Sequence, residues 1–280
     1  MSVKIIVDST ADMTPSVAAQ VGIVPLTVRF GDKEYVSGVD IDSKTFYKML
    51  AESDTLPTTS QPTPYAFEKA YKQAIAEGHD VVCITCSGKL SGTNQSANIA
   101  ADDYEDRVYV VDSATIALGL GILADYALDL ADRGLSAREI AQKVQEKRSS
   151  VRLMAMVDTL EYLKKGGRLN AAVAAVGGLL NIIPIISIQD GEIKVVAKAR
   201  GPRQAYTMLN QEIAKNGGID EKKPILLGYT GQSDDQLKSY RESDPSLWPE
   251  ICPSAIVGSV VGTHVGPGAA AVAFFSREDA

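Results

Sequence analysis

Asp80-Val81-Val82-Cys83-Ile84-Thr85-Cys86, followed by Ser87-Gly88-Lys89-Leu90-Ser91-Gly92-Thr93, is the stretch whose reading decides the fold. The apolar run suits a buried strand, the next seven residues make a Ser- and Gly-rich turn, and 93–101 reads as a helix. A strand, a glycine turn and a helix start in this order present free backbone N–H groups and a positive dipole end to a small anion. The hydroxyls of Ser87, Ser91 and Thr93 add donors, although Ser91 or Thr93 would equally serve as a plain helix cap. The turn is not a nucleotide loop, because GxxxxGKS/T does not occur and Lys89 lies inside the turn. It does not match the GxSxG nucleophile elbow either.

Alternating elements extend from this unit: strand 3–7, helix 15–21, strand 24–30, helices 43–52 and 64–77, the strand and helix already described, strand 107–111 and helix 115–133. Such alternation predicts a mainly parallel sheet covered by helices. Thr14-Pro15 and Thr63-Pro64 each put a capping residue before a proline at the first helical position. Ser136 with Glu139 forms a capping-box pattern for a helix ending near Arg148. Beyond Ser149 the pattern becomes α+β: strand 151–157, a short helix 160–165, a hairpin of 185–189 with 193–197 turned at Asp190-Gly191, helix 202–215, strand 224–229, helix 233–241 and apolar strands at 254–262 and 269–275. We therefore expect a two-domain α/β protein, residues 1–150 forming an α/β domain and 151–280 an α+β domain.

With 280 residues, 45% of them hydrophobic, the chain can bury one large or two modest cores. Lys and Arg number 28 against 35 Asp and Glu, and the net charge of −7 argues against nucleic acid as a partner. Residues 171–188 are apolar but contain Gly177-Gly178, Asn181 and Pro184, which reads as an Ala-rich helix and then a strand, not as a membrane span. Met1 to Asp8 enter a strand pattern directly, without an apolar leader core or a small-residue cleavage site, and we expect a cytoplasmic protein. Cys83 and Cys86 fall on opposite faces of one strand, and neither His79 nor His264 has metal-ligand spacing to them, so no metal is expected.

Two more Ser/Thr segments, Thr58-Thr59-Ser60-Gln61-Pro62 and Thr263-His264-Val265-Gly266-Pro267-Gly268, resemble the first turn in chemistry. Together the three are suited to holding one small anion. His264 is read as leaving the strand 254–262, at the end of an α/β strand where ligands gather.

In sequence order, Val7-Asp8-Ser9-Thr10-Ala11-Asp12, Thr59-Ser60-Gln61-Pro62, Leu90-Ser91-Gly92-Thr93, Val111-Asp112-Ser113, Leu160 to Arg168, Leu180-Asn181-Ile182-Ile183-Pro184 and His264-Val265-Gly266-Pro267-Gly268 resemble the DegV family of bacterial fatty-acid-binding proteins. The resemblance implies one long-chain fatty acid held between two domains and, in some members, presented to a separate fatty acid kinase that makes the acyl phosphate. It assigns the carboxylate to the hydroxyls of Thr59 and Ser91 with His264 nearby; Ser60, Gly92 and Thr93 complete the candidate set from the same segments. Arg168 and Arg200 are expected outside the pocket, as a basic surface that meets the partner or the phosphate. A bound carboxylate next to His264 would raise its pKa. One departure from the family pattern follows Arg168, where Leu169-Asn170-Ala171-Ala172 replaces a further basic or small polar residue. Residues 115–131 and 171–180 would serve as tunnel lining or as ordinary core.

The contrasting reading is a serine hydrolase acting on a lipid or acyl ester, with Ser91 as nucleophile, His264 as base and Asp8 or Asp112 orienting the imidazole. Both aspartates end strands in Asp-Ser turns, where local side-chain capping is the common role.

Overall fold

The computed structural model describes residues 2–169, 181–249 and 252–277. The first half of the chain forms β1 (Ser2–Asp8), α1 (Pro15–Ala18), β2 (Gly22–Val24), β3 (Thr27–Phe30), β4 (Lys33–Val36), α2 (Ser43–Glu52), β5 (Thr58–Ser60), α3 (Pro64–Ala76), β6 (His79–Thr85), α4 (Thr93–Ala101), β7 (Val108–Asp112), α5 (Ala117–Asp132) and α6 (Ala137–Lys147). Four strands form a wholly parallel sheet in the order β2-β1-β6-β7. Period-two alternation along β1 sends Ile6 to α3 and α4, where it packs with Phe67, Tyr71 and Ala97, and sends Ile5 and Val7 to α5, among Leu120 and Leu123. A parallel sheet covered on both faces is the expected outcome of such strands. The caps read from the sequence are in place: Thr14 and Thr63 accept from the backbone at α1 and α3, and Ser136 with Glu139 closes a full capping box at α6.

The segment 24–30 is not one strand. Pro25 removes a donor between β2, which joins the parallel sheet, and β3, which turns away to pair with β4 and β5 in a separate antiparallel sheet of order β4-β3-β5. Thr58 to Ser60 is therefore an edge strand, with Thr59 opposite Val28, and not a turn.

The second half of the chain forms β8 (Val151–Met156), α7 (Glu161–Lys165), β9 (Ile182–Gln189), β10 (Glu192–Arg200), α8 (Pro202–Lys215), β11 (Leu226–Tyr229), α9 (Asp235–Ser243), β12 (Ser254–Ile256), α10 (Ser259–Val265) and β13 (Ala270–Phe275). Its mixed sheet runs β10-β9-β8-β13-β11-β12. The β9–β10 hairpin turns at Asp190 and Gly191, with φ of 52° and 79°, the two left-handed residues of the tight turn that Asp-Gly favours. Along β8 and β13, Leu153, Ala155, Ala271 and Ala273 face α5, whereas Met154, Met156, Val272 and Phe274 face Leu209, Ile213 and Leu237 of α8 and α9. Helix α5 thus lies between the two large sheets, and one apolar core is shared by both domains.

The expected strand 254–262 is the largest correction. Pairing with β11 stops at Ile256, and Gly258, at φ −70° and ψ 170°, opens the helix α10. Its run of β-branched residues favours a strand locally. Packing overrides that preference: Val260 joins Phe46, Tyr47 and Leu50 of α2, Val261 joins the shared core, and the Thr263 hydroxyl donates to the Ser259 carbonyl. His264 accordingly sits on a helix, not at a strand end. Among the described residues, no helix is long and apolar enough to cross a membrane.

Candidate functional site

A cavity lies where α5, the second sheet and α10 meet. Its body is apolar, with Leu118, Leu153, Ile186, Val257, Val261 and Ala271 among its walls. Thr59, Ser91, Arg168 and His264 are on its wall, as are Thr10, Ser187, Tyr229 and Thr230. Three of the carboxylate candidates, Thr59, Ser91 and His264, therefore line one space although they come from a strand, a turn and a helix far apart in the chain.

The strand β5 turns Thr59 inward, where its Oγ1 lies 2.8 Å from His264 Nε2. Alternation along the same strand leaves Ser60 exposed and outside the cavity wall. Ser91 lies in the turn before α4; its Oγ is 2.8 Å from Thr93 Oγ1 and also accepts the Thr93 amide at 3.3 Å. Thr93 is fully buried behind it and supports Ser91 without lining the cavity. Gly92 is the helix cap residue, and its missing side chain leaves the space used by Gln61, whose Oε1 would stand 2.2 Å from a Cβ there. That approach packs the end of β5 against the start of α4, helped by a bond from Gln61 Nε2 to Ser96 Oγ at 3.1 Å.

Arg168 departs from the expectation of an outward-facing charge. Its Nε donates to the Leu90 carbonyl at 3.3 Å and a terminal nitrogen to the Gly166 carbonyl at 2.7 Å, which turns the guanidinium to the cavity beside Ser91 and His264. Arg200, in contrast, is exposed at the end of β10 and lies outside the cavity. The two arginines do not form one surface at the site. Thr10, which the sequence reading left without a role, also lines the cavity; its hydroxyl donates to Asp8 at 2.6 Å. Ile116, Ala117 and Leu118 bring the start of the 115–131 stretch into the wall, while 171–180 lies outside the described residues.

Burial, and then the positive charge of Arg168, push the His264 pKa down to about 4. The imidazole is neutral near pH 7. Its Nδ1 is buried without a partner, and it faces Gly166, where a Cβ would stand only 2.3 Å away. Among the described residues, no carboxylate orients this ring. Asp8 instead accepts from the Thr10 amide, the Thr10 hydroxyl and the Cys86 amide, and Asp112 accepts from the Ala114 and Gly88 amides. Ser91 is bonded to Thr93, and His264 to Thr59, so the elements of a hydrolase triad are not assembled.

These features define a two-domain α/β protein with an apolar interdomain cavity that carries hydroxyls, an imidazole and a guanidinium. The model of the family described as "Uncharacterised protein, DegV family" matches residues 2–277, and the chain belongs to the DegV family. A DegV domain-containing protein of Caldanaerobacter subterraneus is 36% identical over 278 residues, covering 97% of this chain and 98% of that protein. Among solved structures, a DegV family protein from Thermus thermophilus, described by its fatty acid binding, superposes with a TM-score of 0.89 at 30% identity, covering 99% of this chain and 100% of that one. A stearic acid-binding protein from Eubacterium ventriosum superposes at 0.83 with 26% identity, covering 96% and 97%.

Proposed function

We propose that this chain binds one long-chain fatty acid, with the tail in the apolar cavity and the carboxylate at Thr59, Ser91, Arg168 and His264. The observation that carries the reading is the meeting of these four side chains on one largely apolar cavity. A carboxylate offers only acceptors, and the two hydroxyls and the guanidinium supply donors, with His264 Nε2 acting through its bond to Thr59; the charge-assisted bonds are the stronger. About fourteen buried methylenes contribute roughly 11 kcal/mol gross at 0.8 kcal/mol each, before the cost of immobilising the chain. The tail thus dominates affinity, and the head group has only to be satisfied. The fatty acid binding described for the Thermus protein and the stearic acid binding described for the Eubacterium protein support the same ligand class here.

The finer reading is a cytoplasmic carrier without a catalytic step of its own, which presents the head group to a fatty acid kinase. The exposed Arg200 is the candidate contact for that partner. The experiment that tests the binding reading is mass spectrometry of the organic extract of the purified protein, paired with native spectra. About one fatty acid per chain is expected. No lipid released on unfolding, together with no uptake of added fatty acid, would overturn it.

A further inference from the structure

We infer that Asp12, a residue of the first domain, is a positioning residue for the polar end of the cavity, because it holds the start of the helix that carries His264; the inference rests on the fatty-acid reading above. Asp12 is buried in the loop after β1, and its Oδ1 accepts the amide of Gly258 at 2.7 Å, across the domain boundary. Two more groups of the first domain grip the same helix start. The Tyr47 hydroxyl donates to the Val257 carbonyl at 3.1 Å, and Ser37 Oγ lies 2.9 Å from Ser259 Oγ.

Helix α10 needs this help. It has seven residues and no side-chain cap of its own, and a helix so short has little stability without tertiary support. The Gly258 amide is one of its orphan donors, and Asp12 supplies the acceptor that a capping side chain would otherwise provide. His264 lies near the other end of the helix, where Nδ1 already abuts Gly166 and Nε2 reaches Thr59 at 2.8 Å. A slip of the helix start displaces the ring that the helix carries, which is closed off on the Gly166 side, and it lengthens the contact with Thr59. Asp12 itself does not line the cavity. Its second oxygen is buried without a partner, an arrangement that packing alone would not favour and that leaves the bond to Gly258 as its one hydrogen bond at the helix.

The test compares Asp12→Ala and Asp12→Asn by two readouts. The first is the ring NMR spectrum and titration of His264 in lipid-free protein. The second is the affinity for hexadecanoic acid and for hexadecanol, which share a tail but not a charged head. Asp12→Ala is expected to shift the His264 titration up towards that of an ordinary histidine and to weaken hexadecanoic acid by about tenfold with little change for hexadecanol. Asp12→Asn keeps an acceptor for Gly258 and should track the parent in both readouts. An unaltered ring titration in Asp12→Ala, an equal loss for acid and alcohol, or an asparagine variant as impaired as the alanine variant would overturn the inference. If Asp12→Ala does not fold, Asp12→Thr, whose hydroxyl stops short of the Gly258 amide, is measured in its place with the same criteria. A parent that binds neither lipid would sink the fatty-acid reading alone, since the ring titration still decides the role of Asp12.

Discussion

Gly166 makes room for His264: a Cβ at position 166 would come within 2.3 Å of the His264 Nδ1. The backbone at Gly166, with φ −74° and ψ −6°, accommodates any residue, so the requirement for glycine is steric and local. Gly166→Ala should therefore fold but push the ring away from Thr59. Overpacking of this kind costs about 1–3 kcal/mol. The expected outcome is a moderately lower melting temperature and weaker fatty acid binding by calorimetry; a variant that binds as the parent does would place the ring's contact with Thr59 outside the binding event.

Ser91→Ala and Thr59→Ala each remove a donor to the proposed carboxylate. A hydrogen bond to a charged acceptor contributes about 1.5–3 kcal/mol, which predicts an affinity loss of about tenfold or more for each variant. Melting without lipid should change little for Ser91→Ala, whose side chain bonds locally to Thr93, and more for Thr59→Ala, which also loses the bond to His264. Calorimetric titration with one fatty acid checks both; unaltered affinity in the two variants would put the head group elsewhere.

Two buried groups give stability opposite slopes in pH. His264 is depressed from 6.5 to about 4, so the unfolded chain takes up a proton that the folded one refuses, and stability is full above pH 6.5 and is lost as pH falls towards 4. Asp12 is raised from 3.8 to about 8, chiefly by burial, so its contribution is full below pH 3.8 and is lost as pH rises to 8. Each effect is bounded by about 1.4 kcal/mol per pH unit. Melting curves should show Asp12→Asn gaining on the parent from pH 4 to 8, and His264→Gln gaining as pH falls below 6.5. Bound fatty acid should lift the His264 pKa and flatten its slope.

The α/β alternation, the helix caps and the Asp190-Gly191 hairpin were legible because each is specified by adjacent residues. The separate three-stranded sheet was not, since the break at Pro25 changes the sheet that a strand joins without changing its apolar pattern. Ser259 to Val265 misled for a related reason: its Val and Thr content favours a strand, and contacts distant in sequence, the packing of Val260 and Val261 and the bonds from Asp12, Tyr47 and Ser37, support it as a helix. At the site, Thr59, Ser91 and His264 were readable as donors. The inward turn of Arg168 was not, because it is directed by two backbone carbonyls that no side-chain motif records.

The two arginines separate the binding reading from the partner reading. Arg168 lines the cavity and depresses the His264 pKa, whereas Arg200 is exposed and remote from it. Arg168→Ala should therefore weaken fatty acid binding and, in lipid-free protein, let the His264 pKa rise from about 4, since the charge that opposes protonation is gone. Loss of the two carbonyl contacts also frees the turn at Leu90, so part of the affinity loss will come from a less ordered Ser91. Arg200→Ala should leave both quantities as in the parent. Its effect, if the partner proposal is right, appears only when a fatty acid kinase is added: charge reversal by Arg200→Glu should suppress acyl phosphate formation while the protein still holds its lipid, as expected when a rim charge steers association. Equal kinase rates for Arg200→Glu and the parent would remove Arg200 from the partner surface, and a loss of lipid binding in Arg200→Ala would mean that the site extends well beyond the cavity described.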